Sequence, residues 1–343
     1  MAKKVLPGSS TQETEVKVVQ SRRGFWSALA ATLLKQREAS IAIVAIVLIL
    51  YFQASNQAFL SLANIGTLAQ YMAATAIIAT GEVMLLICGE MDLSAGMIYA
   101  LAPFIMYFAY QAGMPLWVGV ILGLIVSGIV GLINGTITIF LKVPSFITTL
   151  GMLFLLEGFT LITSGGFPVL IPQEGTINAV LGHNVYSEII WAIVIVIIMQ
   201  IVLSYTKWGL HTVATGGNIL GASEVGIDVN RIKLGNFMLS AVLSGFAGTL
   251  EAFRITSIDP LAGGTNIMFM AIAGAVIGGT ALQGGQGTIV GAFLGVLVLS
   301  ILQDGFTLLG VSAFTFDLIL GAAILVAMIL NVRLRLWRER GRA

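Results

Sequence analysis

Charge is scarce in this chain: only 10% of its 343 residues are Asp, Glu, Lys or Arg, whereas about 25% is usual in soluble domains. Apolar residues make up 57% of the chain, so it cannot cover itself with polar surface. We therefore expect the lipid bilayer to be its solvent. The formal net charge of +1 gives no reason to expect a nucleic-acid partner.

Cysteine and histidine, which build disulfides and many metal sites, are also nearly absent. The single cysteine, Cys88, excludes a disulfide framework, and two histidines are too few for a histidine-built metal site. No lysine follows a glycine, so the Gly-Lys-Ser/Thr step of a Walker A motif is missing. We expect no catalytic residue, metal or cofactor. If ATP drives this protein, the motor is another polypeptide.

Long apolar runs fill the remaining sequence. A helix needs about 20 apolar residues to cross the hydrocarbon core, and unpaired backbone groups cannot face lipid. We therefore predict an all-α integral membrane protein with about ten transmembrane helices. The predicted spans are residues 40–60, 66–88, 93–111, 116–140, 145–163, 187–206, 234–254, 267–283, 287–306 and 312–331.

The distribution of basic residues predicts the topology. With the N-terminus in the cytoplasm, ten spans place all but one of the 17 basic residues on the cytoplasmic side, the exception being Arg254. This is the asymmetry of the positive-inside rule. We predict cytoplasmic tails at residues 1–38 and 332–343, with the transmembrane domain at 39–331. The two longest outward loops, 164–187 and 255–266, are candidate sites for an external partner or a lid, or are plain connectors.

The loop at residues 207–233 combines polar character with basic residues at both ends. Asn218 is a good N-cap and Gly226 a good left-handed C′ residue, so a helix of about two turns is predicted between them. Such a helix on the membrane face is suited to dock a separate motor protein, although an ordinary connecting loop explains it equally well. The residues expected to make the docking contacts are Asn218, Leu220, Ala222, Ser223, Glu224 and Gly226.

Charges inside apolar runs need a partner or a cavity, because each costs roughly 2.5–3.5 kcal/mol at a helix centre. Glu251 and Arg254 are three residues apart, where an ion pair forms on one helix face. They would line the outer end of a polar pathway or fix one helix end. Two glycine-rich turns, 89–96 and 278–287, each join an inward span to an outward one and are consistent with an internal repeat.

Four segments together resemble the permease subunits of ribose-type ABC importers over about residues 60–330. They are Gly89-Glu-Met-Asp-Leu-Ser-Ala-Gly96, Val143-Pro-Ser-Phe-Ile-Thr-Thr-Leu-Gly-Met152, Gly216-Gly-Asn218 followed by Gly226-Ile-Asp-Val-Asn-Arg-Ile-Lys233, and Gly278-Gly-Thr-Ala-Leu-Gln-Gly-Gly-Gln-Gly-Thr288. The chain departs from the family's usual pattern at Ile219, Leu220, Gly221 and Val225, which leaves the choice of ATPase partner open.

The resemblance implies a homodimeric permease of the bacterial inner membrane, an ATPase subunit with two fused nucleotide-binding halves and a periplasmic sugar-binding protein. It also implies that the loop at 207–233 carries the coupling helix. The expected function is import of a monosaccharide, either a ribose-like pentose or a hexose. We predict a substrate pathway near the dimer axis, lined by Asn134, Thr138, Asn236 and Ser240 and ending at Glu251 and Arg254.

Two alternatives remain open from the sequence. The first is an ABC permease for a nucleoside or another small polar solute. The second is an ion-coupled secondary transporter, in which Glu82 or Glu157 would be the titratable group near the bilayer midplane.

Overall fold

The computed structural model describes residues 37–172, 175–182, 186–312, 314–322, 325–326 and 329. The predicted tail at 332–343 and nearly all of that at 1–38 lie outside these residues. The described part is helical apart from one short pair of strands. Its helices are α1 Arg37–Ser55, α2 Leu62–Ile87, α3 Ala95–Gln111, α4 Leu116–Phe140, α5 Ser145–Ser164, α6 Gly175–Leu181, α7 Ser187–Tyr205, α8 Lys207–Gly217, α9 Ile219–Glu224, α10 Val229–Ile255, α11 Gly264–Ile277 and α12 Ile289–Leu308.

Seven of the described helices have the length and the apolar composition to cross a bilayer. They are α1 (from Glu38), α2, α4, α5, α7, α10 and α12. Helices α3 and α11 are shorter, at 17 and 14 residues. Residues 314–322 are helical and fall in the tenth predicted span. The count of ten spans and the orientation of the termini stay predictions.

The predicted eighth span, 267–283, is wrong in its C-terminal boundary, because α11 ends at Ile277. A glycine-rich turn follows, in which Gly279, Gly284 and Gly285 take positive φ angles of 92°, 88° and 78°. A helix cannot continue through left-handed residues, and glycine adopts that conformation without strain. Apolar composition alone carried the prediction too far along the chain.

Helices α2 and α10 form the centre of the protein. Helix α10 packs against α2, α3 and α4, and α12 packs against α1, α2 and α11. Small residues permit these close approaches. At Gly248, for example, an added Cβ would lie 1.8 Å from the carbonyl oxygen of Tyr99. The centre is therefore a tight helix assembly, and the other helices surround it.

The two predicted outward loops meet. Strand β1 (Val169–Leu170) pairs antiparallel with β2 (Ser257–Ile258), with Val169 opposite Ile258 and Leu170 opposite Ser257. The hydroxyl of Thr160 also donates to the carbonyl of Pro260 at 3.0 Å. The strand pairing joins the two loops into one surface at the Arg254 end of α10, and the Thr160 bond attaches this surface to α5.

Candidate functional site

Helix α9 begins and ends where the sequence predicted. The Asn218 side chain accepts a hydrogen bond from the backbone N–H of Gly221 at 3.0 Å. At the other end, Gly226 has φ of 86°, and the N–H of Ile227 donates to the carbonyl of Ala222 at 3.0 Å. These bonds satisfy backbone groups that a helix leaves unpaired at its termini. The two caps thus fix a short helix between two longer ones.

One face of α9 is exposed on the surface of the protein. Leu220 is 76% exposed and Val225, just after the helix, is 77% exposed. Ser223 and Glu224 are exposed as well. Ala222 is buried at 4%, so its side chain packs the helix onto the protein. Of the residues predicted to dock a partner, Leu220, Ser223 and Glu224 form the exposed face of α9. Asn218 and Gly226 cap the two ends of the helix.

The turn at 278–287 and the C-terminal ends of α2 and α8 meet beside this helix. The carbonyl of Ile87 accepts a hydrogen bond from the N–H of Gly285 at 2.8 Å. Gly216 fits against the same carbonyl so closely that an added Cβ would lie 1.5 Å from its oxygen. The segment 207–226 is therefore seated on the main chain of two other segments.

Two further contacts complete this assembly. Lys233 Nζ lies 2.6 Å from Glu90 Oε1, and both side chains are mostly buried. The N–H of Met91 donates to the hydroxyl of Ser145 at 3.4 Å. All four segments that carry the family resemblance therefore converge around residues 87–94, although they lie far apart in the sequence.

Asn236 connects α10 to α8 and α2 from a fully buried position. Its amide oxygen accepts from the Trp208 indole at 2.8 Å, and its amide nitrogen donates to the Thr212 hydroxyl at 3.1 Å and the Cys88 sulfur at 3.1 Å. Asn236 therefore joins the segment carrying α9 to the central helices. Trp208 could not be identified as its partner from the sequence, since the two residues do not belong to any recognisable motif.

A second buried network surrounds two carboxylates, Glu82 and Asp92. Ser240 donates to Glu82 at 3.1 Å, and the Asp92 N–H donates to the same carboxylate at 3.3 Å. The hydroxyl of Ser94 donates to Asp92 at 2.5 Å and accepts from the Asn134 amide at 2.9 Å. Helices α2, α3, α4 and α10 are thus linked by polar side chains in the interior.

The predicted pathway residues Asn134, Thr138, Asn236 and Ser240 are all buried in this structure. Asn134, Asn236 and Ser240 make the interhelical bonds just described. In this conformation they connect helices, and their place along a solute route stays a prediction.

The predicted pair of Glu251 and Arg254 forms an ion pair on α10. Sequence reasoning missed two further partners of Arg254. Glu188 on α7 lies 3.1 Å from Arg254 Nε, and Gln70 on α2 accepts from the guanidinium at 3.4 Å. Glu188 could have been noticed because it is a charged residue at the second position of the predicted span 187–206, where a charge needs a partner. Gln70, Glu251 and Arg254 border a cavity of about 170 Å³.

Comparison with known proteins identifies the family. Residues 64–328 match the family described as "Branched-chain amino acid transport system / permease component". The chain belongs to this permease family. It is a subunit of a transport system and not an enzyme, and it is a multi-pass protein of the inner membrane. The family's importers also have an ATPase and a periplasmic binding protein, so family membership disfavours the ion-coupled alternative.

Several curated relatives align along most of the chain. A xylose/arabinose import permease protein of Sulfolobus acidocaldarius is 40% identical over 305 residues, which cover 86% of this chain and 84% of the relative. A ribose import permease protein of Bacillus subtilis is 33% identical, covering 83% and 89%. An autoinducer 2 import system permease protein of Photorhabdus luminescens is 34% identical, covering 76% and 78%. No solved structure gives a significant match.

Proposed function

We propose that this chain is the membrane-spanning permease of an ATP-driven importer that moves a monosaccharide, either a ribose-like pentose or a hexose, into the cytoplasm. The observation that carries the proposal is the capped, exposed helix α9, which adjoins the place where the four segments of the family resemblance meet around residues 87–94. The sugar assignment is supported by relatives whose names specify xylose/arabinose and ribose.

In this proposal, α9 transmits the ATPase stroke to the central helices. A partner that contacts Leu220, Ser223 and Glu224 would push on a helix that is rigidly attached to α2 and α10 through Gly216 and Asn236. A movement of the ATPase can reach the central helices only through a stiff connection, because energetic coupling between distant sites is carried by packed side chains and rigid elements that have discrete arrangements. The contacts at Gly216 and Asn236 supply that stiffness.

Two copies of the chain would form the complete permease. An ATPase with two nucleotide-binding halves presents two docking clefts, and the described residues of this chain hold one helix of the α9 kind. A symmetric pair with an isologous interface is the commonest arrangement of soluble homo-oligomers. The α9 end of each copy would face the cytoplasm, as the basic residues Lys207, Arg231 and Lys233 at that end favour.

The opposite end would receive solute from the binding protein. The surface formed by β1 and β2 lies at that end, where Leu170 is 77% exposed. It is also next to the ion pair of Glu251 and Arg254. A binding protein resting on these loops would release its solute beside a polar cavity.

The experiment is uptake into proteoliposomes that contain the permease with its ATPase, with ATP enclosed and the binding protein outside. Radiolabelled xylose, ribose and galactose are compared with adenosine. The proposal predicts accumulation of a monosaccharide that needs both ATP and the binding protein. Accumulation of adenosine but of no sugar would contradict the sugar assignment, and sugar uptake without ATP would contradict the ABC mechanism.

A further inference from the structure

A polar cavity of about 170 Å³ lies between helices α2, α3, α10, α11 and α12. This volume is far larger than the roughly 10–15 Å³ that a single ordered water occupies. Its polar lining consists of Gln70, Thr75, Glu251, Arg254, Asn266 and Gln303. Four of these helices thus bring side-chain amides, a hydroxyl and one ion pair to a single space, and α3 adds the phenol of Tyr99.

The charges around the cavity leave no free cation among the described residues that line it. Arg254 pairs with the carboxylate of Glu251 and, at 3.1 Å, with that of Glu188. Two carboxylates therefore share one guanidinium. An anionic solute entering the cavity would meet Glu251 without an unpaired positive group to bind it, and an unpaired buried charge is costly.

The remaining polar groups suit hydroxyls. The amides of Gln70, Asn266 and Gln303 each donate and accept hydrogen bonds, as a sugar hydroxyl does. The cavity is also lined by the aromatic rings of Tyr71 and Tyr99. Apolar and aromatic walls with a few placed polar groups are the usual composition of small-molecule sites.

We propose that this cavity is a solute-binding site within the permease, selective for a neutral polyhydroxylated solute of monosaccharide size. The proposal rests on the proposed function and adds to it a location and a basis for selectivity. A zwitterionic amino acid and a phosphorylated sugar are disfavoured, because the carboxylate or phosphate group of each needs the cation that Glu251 and Glu188 already occupy.

The test is protection of a cysteine at Gln303 from a membrane-impermeant thiol reagent in the complete transporter. The native Cys88 is buried, so it should contribute little background. Labelling of Gln303→Cys should slow about tenfold at xylose or ribose concentrations about ten times the half-protecting value, as for simple one-site occupancy. Leucine and ribose 5-phosphate should give no protection. Gln53→Cys on α1, outside the cavity lining, is the matched control and should label equally in all conditions.

The outcomes separate this proposal from the proposed function. Sugar uptake that continues in the same proteoliposomes while no sugar protects Gln303→Cys or a second probe at an apolar lining residue, Ile267→Cys, would overturn the proposed binding site and leave the transport function standing. Equal protection by leucine or ribose 5-phosphate would overturn the selectivity. If sugar protects the cysteine but is not taken up, the binding site in the cavity is supported and the assignment of a sugar as the transported solute is contradicted.

Discussion

Replacing Gly216 by alanine should disrupt the packing of segment 207–226 against Ile87 and Gly285. The new Cβ would lie 1.5 Å from the oxygen of Ile87, 2.7 Å from its carbonyl carbon and 2.8 Å from the nitrogen of Gly285. All three obstacles are main chain, so no side-chain rotation relieves them. The new Cβ must displace the Ile87 carbonyl, which also lengthens its 2.8 Å hydrogen bond from the N–H of Gly285.

The expected cost follows from these contacts. Overpacking of this kind costs about 1–3 kcal/mol, and the weakened hydrogen bond adds about 0.5–1.5 kcal/mol. Alanine gains back up to about 1 kcal/mol through its higher helix propensity. We expect a net loss of about 0.5–4.5 kcal/mol in the free energy of unfolding. ATP-driven uptake should fall with it, since a loosened segment transmits less of the stroke.

Gly217→Ala is a matched control one residue away. An added Cβ at Gly217 meets no atom within 4 Å. The substitution therefore carries the same gain in helix propensity without the clash. The assays are thermal stability of the solubilised permease and sugar uptake in proteoliposomes. If the two variants behave alike in both assays, the close packing of Gly216 against Ile87 does not hold segment 207–226 in place.

Three other predictions test separate contacts. Lys233→Ala should destabilise the protein by about 3–5 kcal/mol, because it leaves Glu90 unpaired in a mostly buried site. The double variant with Glu90→Gln should recover much of this loss in a thermal-stability assay. If the double variant is no more stable than Lys233→Ala, loss of the ion pair does not cause the destabilisation. Asn236→Leu removes the acceptor of the Trp208 indole and the donor to the Thr212 hydroxyl, and should cost about 1–3 kcal/mol for each group it leaves unsatisfied, seen as a lower melting temperature. An Asn236→Leu protein that melts at the parent temperature would refute the linking role. An impermeant thiol reagent applied outside cells should label Phe167→Cys and spare Ser223→Cys; the reverse pattern would contradict the proposed orientation.

Local features of the site could be read from the sequence, because their causes are local. Asn218 and Gly226 define α9 through bonds within a few residues, and Glu251 pairs with Arg254 within one helix turn. The end of α11 could not be located from composition, since the turn after it carries no charged residue and consists mostly of small residues. Its boundary depends on the positive φ of Gly279.

Contacts between distant segments were beyond sequence reasoning. A polar residue on an apolar helix, such as Asn236, predicts a solute pathway, but polar residues that hold helices together show the same pattern. Its bond to Trp208 requires the folded arrangement of α8 and α10. The same holds for Glu188, which reaches Arg254 from a helix that precedes it by many residues.

Association of the permease with its ATPase tests the central claim most directly. Leu220→Arg changes an exposed leucine of α9, and Leu170→Arg changes an equally exposed leucine on the opposite loop surface. In detergent, co-purification of the ATPase should be lost with Leu220→Arg and kept with Leu170→Arg, and ATP-driven uptake should be lost with the former even though the permease inserts normally. Full ATPase association and parent uptake in the Leu220→Arg permease would contradict the assignment of α9 as the coupling helix.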